Sequence, residues 1–278
     1  MTYLELVDRL CRSGIEEARW EARLLIERFC GIPVGAFLDE TADLPDEEAL
    51  EAAVCRRCER EPLQYVLGEW SFYNQTYKVS PACLIPRSDT EILVEEAIKR
   101  LPTGARFADL CTGSGCIAVS VLAERPDTHA IAADLSLDAL EIAAENAVRN
   151  GVAARVEFLQ ADVLGDWDSL RAALPTVDAI LSNPPYIRTE VIRTLSPEVL
   201  REPRMALDGG ADGLIFYRAL LEQASGWLSR DGVCLFEIGY DQGEDIKRLG
   251  EEYGFFCVVR WDFGGCDRVA ILKRKSIE

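Results

Sequence analysis

From about residue 104 onward the chain alternates short apolar runs with longer stretches of helical period, and few folds accommodate that order. Strands are predicted at 106–110, 130–133, 156–160, 177–182 and 233–237, with helices at 117–124, 137–150, 214–228 and 242–253. Strands separated by helices must run parallel and cross over right-handed, which gives a doubly wound, Rossmann-like α/β sheet. The end departs from this order. Two runs, 255–260 and 268–273, are joined by a short link containing Gly264-Gly265, which predicts an antiparallel C-terminal hairpin at a sheet edge. Apolar residues make up 49% of the 278, enough for a sizeable core.

Residues 1–62 read as a small helical bundle. Leu4, Val7, Leu10 and Cys11 recur at helical spacing, as do Ala18, Ala22, Leu25, Ile26 and Phe29, then Leu50, Val54 and Cys58. Gly31-Ile-Pro33 and Leu44-Pro45-Asp46 mark the breaks. This stretch holds 15 acidic and eight basic residues and no catalytic constellation, so it reads as a recognition or spacer module. Residues 63–87 read as a linker built on a β-hairpin: Glu69–Tyr73, a turn at Asn74-Gln75, then Thr76–Val79. Ser88-Asp-Thr-Glu91 is expected to open the 88–278 domain as a capping box.

The net charge of −18 repels polyphosphate and argues against a nucleic-acid binder; a protein partner suits it better. No apolar stretch approaches membrane-spanning length, and the N-terminus lacks a signal-peptide pattern. A cytoplasmic, monomeric protein with reduced cysteines is expected. Cys55-Arg-Arg-Cys58 has zinc-like spacing but no second pair nearby, and the chain's single histidine, His129, sits at a strand entrance; no metal site is expected.

Two motifs carry chemistry. Asp109-Leu-Cys-Thr-Gly113-Ser-Gly115-Cys-Ile-Ala118 follows the first strand and opens a helix, where glycines let the backbone turn tightly and approach a ligand. Asp134 ends the next strand, where an acid commonly grips ribose hydroxyls. Asp162 follows the third, where a carboxylate can bond an adenine amino group or cap a helix. A nicotinamide cofactor would suit the glycines equally. The carboxylate of Asp109, which would repel a pyrophosphate but suit an ammonium, shifts the balance toward cationic S-adenosyl-L-methionine, with S-adenosyl-L-homocysteine as product.

The second motif, Asn183-Pro184-Pro185-Tyr186, ends the fourth strand and shifts it the same way. Two prolines cannot continue a ladder, so a rigid turn is forced there. An amide nitrogen becomes nucleophilic only if both its N–H bonds are held. The Asn183 side-chain oxygen and the Pro184 carbonyl can each accept one, and Tyr186 can stack on the planar group. The alternative is a turn with Tyr186 as a packing residue. Adenine N6, guanine N2 and a glutamine amide all fit.

With Gln64-Tyr65-x-x-Gly68, Ile85-Pro86-Arg87-Ser88-Asp89-Thr90-Glu91, Glu202-Pro203 and Gly209-Gly-x-Asp-Gly213-Leu, these motifs resemble the release-factor glutamine methyltransferases, the HemK/PrmC family. The resemblance implies a class I methyltransferase sheet and N5-methylation of the glutamine in the Gly-Gly-Gln loop of class-1 peptide chain release factors. It implies cofactor contacts from Cys111, Thr112, Gly113, Ser114, Gly115, Asp134 and Asn183, with Asp162 and Val163 near the adenine. It places Asn183 to Tyr186 on the glutamine and Arg87, Thr90 and Glu91 near the pocket. Cys111 replaces the family's usual glycine, so ordinary backbone angles are expected there. Ser88 replaces a common proline, consistent with a helix cap. A ribosomal-protein glutamine methyltransferase and a DNA or RNA amino-methyltransferase are the alternatives.

Overall fold

The first helix starts where the sequence supplies a cap. In the computed structural model, which describes residues 1–36, 39–45, 47–165 and 167–275, α1 (Tyr3–Arg12) begins at Thr2. The Thr2 hydroxyl accepts from the Glu5 amide at 3.2 Å and the Glu5 carboxylate accepts from the Thr2 amide at 2.8 Å. Helix α2 (Ala18–Cys30) ends on Gly31 at φ +68°. Then come α3 (Glu47–Cys58) and α4 (Leu63–Leu67). Helix α4 has too few residues to show a period. Of the predicted break Leu44-Pro45-Asp46, Asp46 lies outside the described residues.

These helices form one compact unit, Met1–Glu69, which also takes in Leu195–Arg201. Leu6, Leu10, Ala22, Leu25, Ile26, Leu50 and Val54 supply its core. Arg57 is buried among them and is held by Glu21 at 2.6 Å and Glu198 at 3.0 Å; a buried guanidinium needs such partners.

The second unit comprises Trp70–Thr194 and the chain from Glu202 onward. Its hairpin joins β1 (Glu69–Phe72) to β2 (Gln75–Lys78), so the turn is Tyr73-Asn74, one residue earlier than expected, with Tyr73 at φ +54°. Phe72 and Tyr77 meet edge-to-face at 5.9 Å inside the core of this unit, and the Tyr77 hydroxyl reaches Ser120 at 2.6 Å. The expected linker therefore divides, because burying two aromatic rings fixes the hairpin to the second unit.

A seven-stranded sheet follows, built from β3 (Arg106–Leu110), β4 (His129–Asp134), β5 (Val156–Gln160), β6 (Val177–Ser182), β7 (Leu228–Glu237), β8 (Phe255–Trp261) and β9 (Asp267–Arg274). The strand order is β5-β4-β3-β6-β7-β9-β8. The first five are parallel, and β9 runs antiparallel to both β7 and β8. Alternate residues serve opposite faces. Phe107, Ala132, Ala179 and Leu181 pack with α5 (Glu91–Arg100), α6 (Cys116–Glu124) and α7 (Leu137–Arg149). Ala108, Ile131, Ile180 and Phe236 pack with α8 (Trp167–Ala173), α9 (Ile215–Trp227) and α10 (Gly243–Glu252). The doubly wound sheet and its antiparallel end are as expected. Helix α8 was not anticipated; only Trp167 and Leu170 mark its apolar side. The strand order reverses between β3 and β6, where open α/β sheets bind ligands. There the Ser182 hydroxyl donates to the Leu110 carbonyl at 2.6 Å.

Candidate active site

A cavity of about 300 Å³ opens at the carboxyl ends of β3, β4 and β6, lined by Cys111 to Ser114, Asp134, Asp162, Val163, Asn183, Pro185, Arg87 and Thr90 among others. The loop between β3 and α6 forms one wall. Gly113 and Gly115 take φ +55° and +78°, and a Cβ on Gly115 would lie 3.0 Å from that of Ala143. Cys111 also sits left-handed, at φ +59°, so the expectation of ordinary angles there is overturned. The loop imposes the turn whatever the side chain, at a cost of about 1 kcal/mol for a non-glycine.

Asp109 does not line the cavity. It is fully buried behind the loop, where Oδ2 accepts from the Thr112 hydroxyl at 2.6 Å and the Ala118 amide at 3.0 Å. Its Oδ1 is buried without a partner, and burial pushes its pKa up to about 7. Asp134 does line the cavity. Its oxygens accept from the Gly113 and Ser136 amides, each at 2.9 Å, tying the end of β4 to the loop. Burial raises its pKa, against the lowering by those amides. Asp162 accepts from the Leu164 amide at 2.9 Å; α8 begins too far along for Asp162 to cap it.

The Asn183-Pro-Pro-Tyr turn is held from behind by glycines. A Cβ on Gly209 would lie 2.7 Å from Tyr186 Cα, and one on Gly213 would lie 2.4 Å from the Tyr186 carbonyl oxygen. Gln242 donates to that carbonyl and to the Gly213 carbonyl, both at 3.2 Å. All peptide bonds are trans among the described residues. Asn183 and Pro185 line the cavity, but Pro184 and Tyr186 do not. The Tyr186 ring packs against the core, and its hydroxyl donates a long bond of 3.4 Å to Glu237, which draws it away from the stacking position expected.

The segment from Ile85 to Glu91 is tied down side chain by side chain. Glu202, buried, accepts from the Ile85 amide at 3.0 Å and from Arg87. Arg87 therefore lines the cavity as half of an ion pair. Ser88 caps nothing: Ser88–Thr90 is a 3₁₀ turn, and the Glu91 carboxylate accepts from the Tyr73 amide at 2.8 Å. The expected capping box is absent because Glu91 is committed to the strained hairpin turn. Thr90 donates to Glu237 at 2.5 Å and accepts from Asn183 Nδ2 at 3.3 Å. Sequence reasoning missed Glu237; its one signal is a lone carboxylate ending an apolar strand, Val233–Phe236, at the ligand-binding edge of the sheet.

The glycine loop, the acid ending the second strand of the sheet and the Asn-Pro-Pro-Tyr turn are parts of one cavity on one sheet, and this combination defines a methyltransferase. Residues 88–232 match the methyltransferase small domain family, and residues 4–68 match the PrmC N-terminal domain. The release factor glutamine methyltransferase of Moorella thermoacetica is 41% identical over 98% of this chain and 97% of its own length. That of Cereibacter sphaeroides is 44% identical over 95% and 94%. A methyltransferase from Pyrococcus furiosus shares the fold, with a TM-score of 0.52 at 18% identity over 72% of this chain and 89% of that one. The chain belongs to the release factor glutamine methyltransferase family.

Proposed function

We propose that this chain transfers a methyl group from S-adenosyl-L-methionine to the side-chain nitrogen of the glutamine in the Gly-Gly-Gln loop of class-1 peptide chain release factors. The observation that carries this reading is that Asn183, an amide acceptor on a rigid turn, lines the same cavity as the glycine loop and Asp134. The cofactor fits what the cavity offers. Nothing lies within 4 Å of a Cβ position on Gly113, so the backbone there is open to a ligand. Asp134 retains lone pairs for ribose hydroxyls after its two amide bonds. Asp162 and Val163, with Leu135 and Leu164, give an apolar slot with a carboxylate for an adenine.

The bound cofactor would supply a methyl on a sulfonium; the protein supplies position. Asn183, which lines the cavity, accepts one hydrogen of the glutamine NH2 through Oδ1, and the Pro184 carbonyl, outside the cavity lining but next to Asn183 on the same rigid turn, would accept the other; this turns the lone pair toward the methyl and strengthens both bonds as the nitrogen becomes tetrahedral. Pro185 fixes the turn, Tyr186 anchors it and Arg87 lines the substrate side. Methyl transfer would leave the sulfur as the neutral thioether of S-adenosyl-L-homocysteine, and the proton shed by the methylated nitrogen would pass to water, so no strong base is required. The N-terminal unit is the module that holds the release factor, in keeping with its match to the family's N-terminal domain.

Labelled cofactor offered to a release factor, a ribosomal protein and DNA tests the reading. Label is expected in the release factor. Label found only in the ribosomal protein or only in DNA would overturn it.

A further inference from the structure

Thr90 is buried, and its hydroxyl stands between two side chains from distant parts of the sequence. It donates to Glu237 Oε2 at 2.5 Å and accepts from Asn183 Nδ2 at 3.3 Å. A hydroxyl carries one proton. With that proton committed to a carboxylate, Thr90 can only accept from Asn183. The Asn183 amide must then turn Nδ2 toward Thr90, which leaves Oδ1 for the substrate. Protonating Glu237 reverses the chain. The carboxylic acid donates to Thr90, Thr90 donates to Asn183, and Asn183 turns its NH2 toward the substrate NH2, donor against donor.

We propose that Glu237 is a positioning residue for methyl transfer: its carboxylate sets the polarity of the Thr90 hydroxyl and thereby holds the Asn183 oxygen toward the substrate amide. This rests on the reading of Asn183 as the acceptor for the glutamine. Neighbours on every side bear on its charge. Asp89 and Thr90 precede α5, Cys116 opens α6, and the Tyr186 hydroxyl reaches Oε1 at 3.4 Å from the turn after β6. Tyr217 of α9 donates to the Glu237 main-chain carbonyl at 2.7 Å. Arg268 of β9 is close, although it is also paired with Asp262 at 3.0 Å and Asp89 at 3.3 Å. Burial outweighs Thr90 and Arg268 and pushes the Glu237 pKa up to about 7. The switch therefore falls in the range of ordinary assays.

Two measurements on the full chain test this. The first is kcat against pH with a release factor as substrate. Wild-type kcat is expected to fall about tenfold per pH unit below about 7. Glu237→Gln keeps an oxygen that can accept from Thr90 but cannot ionise, so it should lose that acid limb and have a flat kcat. Thr90→Val should lower kcat on the order of 10- to 100-fold, and Thr90→Ser should recover most of it. An acid limb unchanged in Glu237→Gln, whatever the level of kcat, would overturn the proposal. The second needs no turnover. The side-chain NH2 signals of Asn183, identified by their loss in Asn183→Asp, are followed by 15N NMR. They should titrate with a midpoint near 7 in the wild type and not in Glu237→Gln or Thr90→Val. Signals that ignore pH in the wild type, or titrate alike in all three proteins, would overturn it. A titration as expected in a protein that methylates no release factor would keep the relay and sink the proposed function.

Discussion

Two buried carboxylates back the two halves of the site, and they do different work. Asp109 lies behind the glycine loop and Glu237 behind the Asn-Pro-Pro-Tyr turn; burial pushes both up to about 7. Asp109 holds Thr112 and the Ala118 amide through one oxygen and leaves the other unpartnered. Glu237 engages side chains through both oxygens, and one of them leads to Asn183. A carboxylate that fixes a loop's shape governs binding, whereas one that fixes the polarity of a reacting side chain governs turnover.

The comparison can be broken from either half. Asn183→Ala should have the largest effect, a loss of kcat on the order of 10³-fold with a much smaller change in cofactor affinity. Single-turnover assays and cofactor titration measure both. Gly213→Ala comes next. Its Cβ would press on the Tyr186 carbonyl at 2.4 Å, at a φ of +75°, so kcat should fall on the order of 10²-fold while the cofactor half stays intact.

Asp109→Asn should act on the other side, weakening cofactor affinity on the order of tenfold with kcat at saturation little changed. It also has a pH signature. The folded pKa of Asp109 is raised, so its contribution to stability is full below about 4 and is lost as pH rises through about 7. Denaturant melts should show the wild type losing on the order of 4 kcal/mol relative to Asp109→Asn between those limits. Cys111→Gly should be smallest, a gain of at most about 1 kcal/mol from relieving the left-handed residue, offset in part by the freer unfolded chain.

What the sequence made legible follows from range. Alternating strands and helices, the glycine loop, Asp134 and the Asn-Pro-Pro-Tyr turn are each written in one local stretch, and the structure gathers them at one strand edge. Helices α4 and α8 were too short to show a period. The capping box failed because Glu91 and Thr90 are used elsewhere, by Tyr73 and Glu237, contacts that span 18 and 147 residues. Gly209 and Gly213 were visible as a motif, but their reason, a backbone passing within a carbon's width of Tyr186, exists only in three dimensions. Local spacing shows which groups could act; which group orients which is settled by packing between distant segments.

The most direct test of the account is tandem mass spectrometry of a release factor after incubation with S-adenosyl-L-methionine and either the wild-type chain or Asn183→Ala. One methyl on the side chain of the Gly-Gly-Gln glutamine with the wild type, and none with Asn183→Ala, is the predicted result. A methyl on another residue, or an equal yield from both proteins, would contradict it.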